Sequence, residues 1–235
     1  MSQQDEWREI IKKEYEKKTV LDRLHLSVHE ISELGIGWLI SSFVILYITG
    51  MLTFVIQEGR IPDTLLIYLF VLGVSFFVHE LMHKFTAIKF GARAQFKLSR
   101  EALIITVFGL IIGFPVLATG AVYWWGEAAA SPGIRGRVSA AGPVSNLILA
   151  GIFFVIYGLG LTVLTLTESA TLGILLFTIG FTGVWLNAFL GFFNMLPIGV
   201  LDGAKVLAWD PKIWVSIIGS LIVLGIISGG FDWFL

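Results

Sequence analysis

Gly35 to Ile56 carries no charged side chain, and uncharged runs of similar length recur at 142–166 and 172–196. A helix needs about 20 apolar residues to cross the hydrocarbon core of a bilayer, so each run is long enough to span one. The whole chain has 56% hydrophobic and 14% charged residues, against about 25% charged in ordinary globular domains. An all-α polytopic membrane protein is predicted. Further spans are expected at about 64–90 and 213–234, giving about five to six in all. The short segments 57–63 and 167–171 are read as turns, and 128–138 and 197–211 as polar links.

The charges cluster, and their positions set the topology. Residues 5–33 are rich in Glu, Lys and Arg, with Trp7, Ile10, Ile11 and Tyr15 at helical spacing. That pattern predicts an amphipathic segment on the membrane surface over 1–33, ahead of a membrane domain over 34–235. Residues 1–24 are charged and lack an apolar core, so no cleavable signal peptide is expected there. The stretch 103–125 is apolar but interrupted by Gly109, Gly113, Pro115 and Gly120, and it follows a weakly alternating Ala94-Gln95-Phe96-Lys97-Leu98. If 103–125 dips in and returns to the same side, every Lys and Arg except Arg60 falls on the cytoplasmic side, as the positive-inside rule requires. If it crosses once, Arg135, Arg137, Lys205 and Lys212 move outside. A re-entrant or β-like segment over 92–126 is therefore predicted. Non-helical backbone at membrane depth is tolerated only beside protein or a wet cavity, so this segment should border one. The Tyr123-Trp124-Trp125 group at its end is read as an interfacial anchor.

Inside the second span lies His79-Glu80-Leu81-Met82-His83. Residues four apart share a helix face, so both imidazoles can hold one metal ion. Glu80 then sits beside the water that the metal activates and can act as a general base. The chain has no cysteine, which restricts any zinc site to His, Asp and Glu, the ligand types of catalytic zinc. Ionisable groups inside a membrane are costly and mark function. The net charge of −1 points to no nucleic-acid partner.

Two histidines need a third ligand. Asp202 is the candidate: Pro197 ends the preceding span, Gly199 and Gly203 permit tight backbone around the carboxylate, and the topology returns it to the side of His83. Asn194 and Asn146, both in apolar surroundings, can donate to a developing oxyanion, hold a ligand in place, or bond between helices. His25, His29 and Glu33, spaced four apart, read first as a solvated helix face and only second as another metal site.

Three separated pieces of this chain resemble the site-2 proteases, zinc metalloproteases that cut membrane-spanning segments within the bilayer. They are His79-Glu80-Leu81-Met82-His83 with the following Lys89-Phe90-Gly91-Ala92; Ala141-Gly142-Pro143-Val144-Ser145-Asn146; and Asn194 to Gly203. Order and spacing match over roughly 65–210. The resemblance implies that His79, His83 and Asp202 bind Zn2+ and that Glu80 activates water. It implies that Asn194 assists at the oxyanion or positions substrate, with Gly142, Pro143 and Asn146 supporting the site or the substrate. It further implies a transmembrane protein substrate in the lipid bilayer, guided as a strand by 92–126, and regulated intramembrane proteolysis. The form is compact, without an inserted PDZ-type domain. A metal transporter or sensor is the competing class, but its polar residues would be spread over several spans. A catalytically silent relative would have no need of an intact Glu80.

Overall fold

The computed structural model describes residues 19–20, 24–58, 64–111, 116–127, 131–167 and 169–227. Most of the amphipathic segment read over 5–33, and the end of the last span, lie outside the described residues. Helix α1 runs Val28–Ile48, α2 Met51–Glu58 and α3 Thr64–Lys89; strand β1 (Arg93–Leu98), helix α4 (Arg100–Ile111) and strand β2 (Gly120–Trp125) follow. The remaining helices are α5 (Pro132–Leu166), α6 (Ala170–Asn194), α7 (Asp202–Trp209) and α8 (Pro211–Ile227). Among the described residues, α1, α3, α5 and α6 are long and apolar enough to cross a membrane, and α8 is apolar but shorter, at 17 residues.

Three boundaries differ from the sequence reading, each for a local reason. The first span, read as 35–56, breaks where Gly50 takes a positive φ of 70°, a conformation that costs glycine little. The link read over 128–138 is largely helical, because Ser131 caps Ile134 N–H and Pro132 sits at the first helical position, where its missing N–H is no loss. The loop read over 197–211 contains α7, a short amphipathic helix starting at Asp202.

The bundle is built on close backbone contact. A Cβ placed on Gly160 would stand 2.3 Å from the Phe177 backbone nitrogen, and one on Gly180 would stand 2.3 Å from that of Tyr157. Lipid tails are as apolar as leucine, so small residues that let membrane helices approach supply the packing that burial supplies in water. The main buried cluster joins Val44 and Ile45 of α1, Val71 and Leu72 of α3, Phe153 of α5, and Val184 to Leu190 of α6. A second cluster, around Met195, Val206 and Leu221, seats α7 and α8 against α5.

Between α3 and α5 the chain forms an antiparallel pair, with Leu98 opposite Gly120 and Arg93 opposite Trp125. This two-stranded ribbon lies where the extended segment was predicted. Thr106 of α4 donates its hydroxyl to Ala118 O (2.5 Å) and accepts from Ala118 N–H (3.2 Å), tying α4 to the approach of β2. Within β2 exposure alternates: Tyr123 and Trp125 face outward and Trp124 inward, as the period of 2 in a strand requires.

Candidate active site

His79 and His83 are one helical turn apart on α3 and both buried. Their Nε2 atoms are 3.1 Å apart. Asp202 reaches them from the start of α7, with Oδ2 3.0 Å from His83 Nε2 and 3.6 Å from His79 Nε2. The turn that delivers this carboxylate is tight: a Cβ on Gly203 would lie 2.0 Å from Met195 O. Trp214 Nε1 donates to that same carbonyl at 2.8 Å, which locks the turn under the end of α6.

The other ring nitrogens settle how the rings face. His79 Nδ1 lies 2.5 Å from Asn146 Oδ1, and His83 Nδ1 lies 2.7 Å from Val138 O. Both partners are acceptors, so each Nδ1 carries the proton and each Nε2 presents a lone pair. Two lone pairs and a carboxylate oxygen therefore converge with no proton between the rings. Such a donor set is stable around a cation. Ligands about 2.0–2.1 Å from one tetrahedral ion stand roughly 3.3 Å apart, and the three observed separations straddle that value. Among the described residues, His79, His83 and Asp202 are the one group of three able to hold a metal.

Helix α5 closes the site from above. A Cβ on Gly142 would lie 2.3 Å from His83 Nε2 and 2.6 Å from His79 Nε2, so only glycine lets this backbone cross the metal group. The adjacent Pro143, inside the helix, has no N–H to return to the Ser139 carbonyl, and Ser139 lines the cavity beside the site. That cavity holds about 120 Å³, several times what one water requires. Glu80, His79, His83, Asp202, Asn194 and the strand residues Gly120 to Trp124 all face it. Glu80 is buried, and its Oε2 has no hydrogen-bond partner among the described residues. Asn194 stands in the wall, but its Nδ2 donates to Leu190 O at 3.0 Å within its own helix. His29 pairs with Glu33 at 3.4 Å on the exposed start of α1, and the structure gathers no third ligand there among the described residues.

Two residues were missed by the sequence reading. Asn187, fully buried, accepts from Asn146 Nδ2 at 3.0 Å and donates to Gly183 O at 2.9 Å. It fixes the amide that fixes His79. Its signal was present, since an asparagine seven residues before Asn194 lies on the same helix face. Lys205, one turn after Asp202, lies 3.6 Å from Asp202 Oδ1 and donates to Val200 O at 3.0 Å. Partners of metal-binding histidines are worth about 10–100-fold in metal affinity. Asn187→Leu is accordingly expected to weaken zinc binding by about that factor, read by competition with a chromophoric chelator. Unchanged affinity would remove Asn187 from the site.

Comparison with known proteins agrees with this geometry. The model of Peptidase family M50 matches residues 67–209. A candidate zinc metalloprotease of Methanocaldococcus jannaschii is 36% identical over 199 residues, covering 84% of this chain and 92% of its own. A second candidate zinc metalloprotease, from Bacillus subtilis, is 35% identical over 165 residues, covering 62% of this chain and 70% of its own. No solved structure matches. With this match, these relatives, the convergent histidines and carboxylate, and helices fit to cross a membrane several times, the chain belongs to Peptidase family M50, the zinc metalloproteases of site-2 type.

Proposed function

We propose that the protein is a zinc-dependent intramembrane endopeptidase that hydrolyses a peptide bond within or near the transmembrane segment of another membrane protein, in regulated intramembrane proteolysis. His79, His83 and Asp202 hold the zinc. When bound, the metal polarises the scissile carbonyl and brings water to a pKa of about 7. Glu80 takes the proton of the attacking water and hands it to the leaving amide nitrogen as the C–N bond breaks. Its unpartnered Oε2 beside a cavity with room for water suits that task. Asn194, by turning its amide from Leu190 O, donates to the oxyanion or to the substrate backbone.

The observation that carries the membrane substrate is the edge of β2 turned away from β1, which pairs with no other strand among the described residues. Ser99 N–H bonds to Thr119 O, while Phe96 N–H turns away from β2 to Glu30. In an antiparallel pair hydrogen-bonded and non-bonded positions alternate, so Phe96 and Val122 form a non-bonded pair. The N–H and C=O of Val122 then point away from β1, as do those of Gly120 and Trp124, and all three residues line the cavity with Glu80. A transmembrane helix shields its peptide bonds, and unwinding it in lipid leaves backbone groups unsatisfied. Adding the unwound segment as a strand on β2 replaces those bonds.

The start of α1, the end of α3, the start of α5 and the end of α6 share the end of the bundle that carries the site. The basic residues from Lys89 to Arg100, with Arg135, Arg137, Lys205 and Lys212, flank that end. The positive-inside rule puts it toward the cytoplasm of the cell membrane, and the product is released there. The test is co-expression with a tagged single-pass segment carrying helix-weakening residues, beside a soluble unstructured peptide containing the same bond. The expected result is a shortened, released fragment from the membrane segment. An uncut membrane segment with an efficiently cut soluble peptide would make this an ordinary peptidase.

A further inference from the structure

Lys84 directly follows the second metal-binding histidine, yet the mechanism makes no use of it. With Glu30 it forms a fully buried ion pair, each side chain only 3% exposed. Lys84 Nζ donates to Glu30 Oε2 (2.7 Å), Glu30 Oε1 (2.8 Å) and His25 O (2.7 Å), so all three of its protons are placed. Glu30 Oε1 accepts a further bond, from Phe96 N–H at 2.9 Å.

A buried ion pair is weak evidence of stability, because desolvation of both charges cancels much of their attraction and apolar residues of similar volume serve as well. What an apolar pair lacks is a directional acceptor for the strand. The bond to Phe96 N–H fastens the outer edge of β1 to Glu30 of α1, and through the ion pair to Lys84 of α3, one residue past His83. Strand β2 must follow β1, since a Cβ on Gly120 would already lie 2.5 Å from Lys97 O and 2.6 Å from the tip of the Phe96 ring. Phe96 itself is buried and meets Phe76 of α3 edge-on, with ring centroids 6.0 Å apart.

We propose that Glu30 and Lys84 are a positioning pair that sets the register of the open β2 edge against Glu80 and the metal group, and so selects which substrate bond is cut. The pair also occupies an outward N–H of β1, leaving β2 as the edge to which a strand adds. This proposal rests on the strand-addition reading above. Because a strand advances about 3.3 Å per residue and its side chains alternate, a slip that keeps the same face moves the cut by two residues.

Two double variants separate the strand bond from the charges. Glu30→Met/Lys84→Met removes both charges and the acceptor; Glu30→Gln/Lys84→Met removes both charges but keeps an acceptor for Phe96 N–H. Neither leaves a lone buried charge. With the tagged single-pass segment as probe, the Met/Met protein is expected to lose about 10²-fold in kcat/KM. Its products, mapped by mass spectrometry, should gain cuts two residues from the wild-type position, with zinc content unchanged. The Gln/Met protein should return to a single cut. Amide exchange supplies a readout that needs no substrate: residues 93–98 and 120–125 should exchange faster in Met/Met than in Gln/Met. Equal exchange in the two, or a Met/Met enzyme with wild-type cut position and kcat/KM, overturns the proposal. Loss of zinc in both overturns it as well, making the pair a general prop. A wild-type enzyme that leaves the segment intact counts against the proposed function instead, and exchange then decides the anchor alone.

Discussion

Glu80→Gln is expected to keep a full equivalent of zinc and to lose hydrolysis of the tagged membrane segment by about 10²–10⁴-fold, the usual worth of a positioned general base. Glutamine has nearly the shape of glutamate but cannot take a proton from water at neutral pH. Glu80 is not one of the three converging ligands, so the metal group should survive the change. Its Oε2 is buried beside the cavity without a partner among the described residues, so the substitution breaks no hydrogen bond seen there from that oxygen. The measurement pairs metal analysis with product quantification on one purified preparation. Equal product from both proteins would sink the mechanism. Zinc lost together with activity would recast Glu80 as a support of the metal group. The same residues in a transporter would leave flux indifferent to whether position 80 can carry a proton in hydrolysis.

The two histidines and Glu80 were legible in the sequence because a single helix supplies all three, and a spacing of four fixes their common face. Asp202 required a topological argument, in which 103–125 returns to its starting side; in the structure its carboxylate lies 3.0 Å from His83 Nε2, and β1 and β2 pair with Leu98 opposite Gly120. The second layer was harder to read. Asn187 acts through Asn146, and nothing in linear spacing relates positions on α5 and α6. The bond of Lys84 to Glu30 joins residues 54 apart, and both look like ordinary charges near span ends. Element boundaries were misread where a local signal outweighed hydropathy. Ser131 and Pro132 start α5 ten residues before its uncharged run begins, and Gly50 ends α1 in the middle of one. Composition tells which residues can enter a bilayer; capping and backbone conformation decide where each helix stops.

Gly142→Ala is expected to abolish stoichiometric zinc at micromolar metal, a fall in affinity of at least about 10²-fold. Ordinarily the exchange favours a helix by roughly 0.5–1 kcal/mol, because alanine loses less backbone freedom than glycine. Here the new methyl would stand 2.3 Å from His83 Nε2 and 2.6 Å from both Nε2 and Cε1 of His79, well inside van der Waals contact. The rings cannot simply retreat, since Asn146 and Val138 hold their far nitrogens. Nor can α5 back away freely, with Gly160 and Gly180 already packing its backbone against α6. Gly151 is the control on the same helix: a Cβ there meets nothing within 4 Å, so Gly151→Ala should keep full zinc and equal or better thermal stability. Competition with a chelator of known affinity reads both variants. Matching zinc affinities for the two would show that α5 does not close over the histidines. A difference confined to Gly142 would mean that the glycine preceding Pro143 is required by the metal group beneath it, beyond any part it has in helix packing.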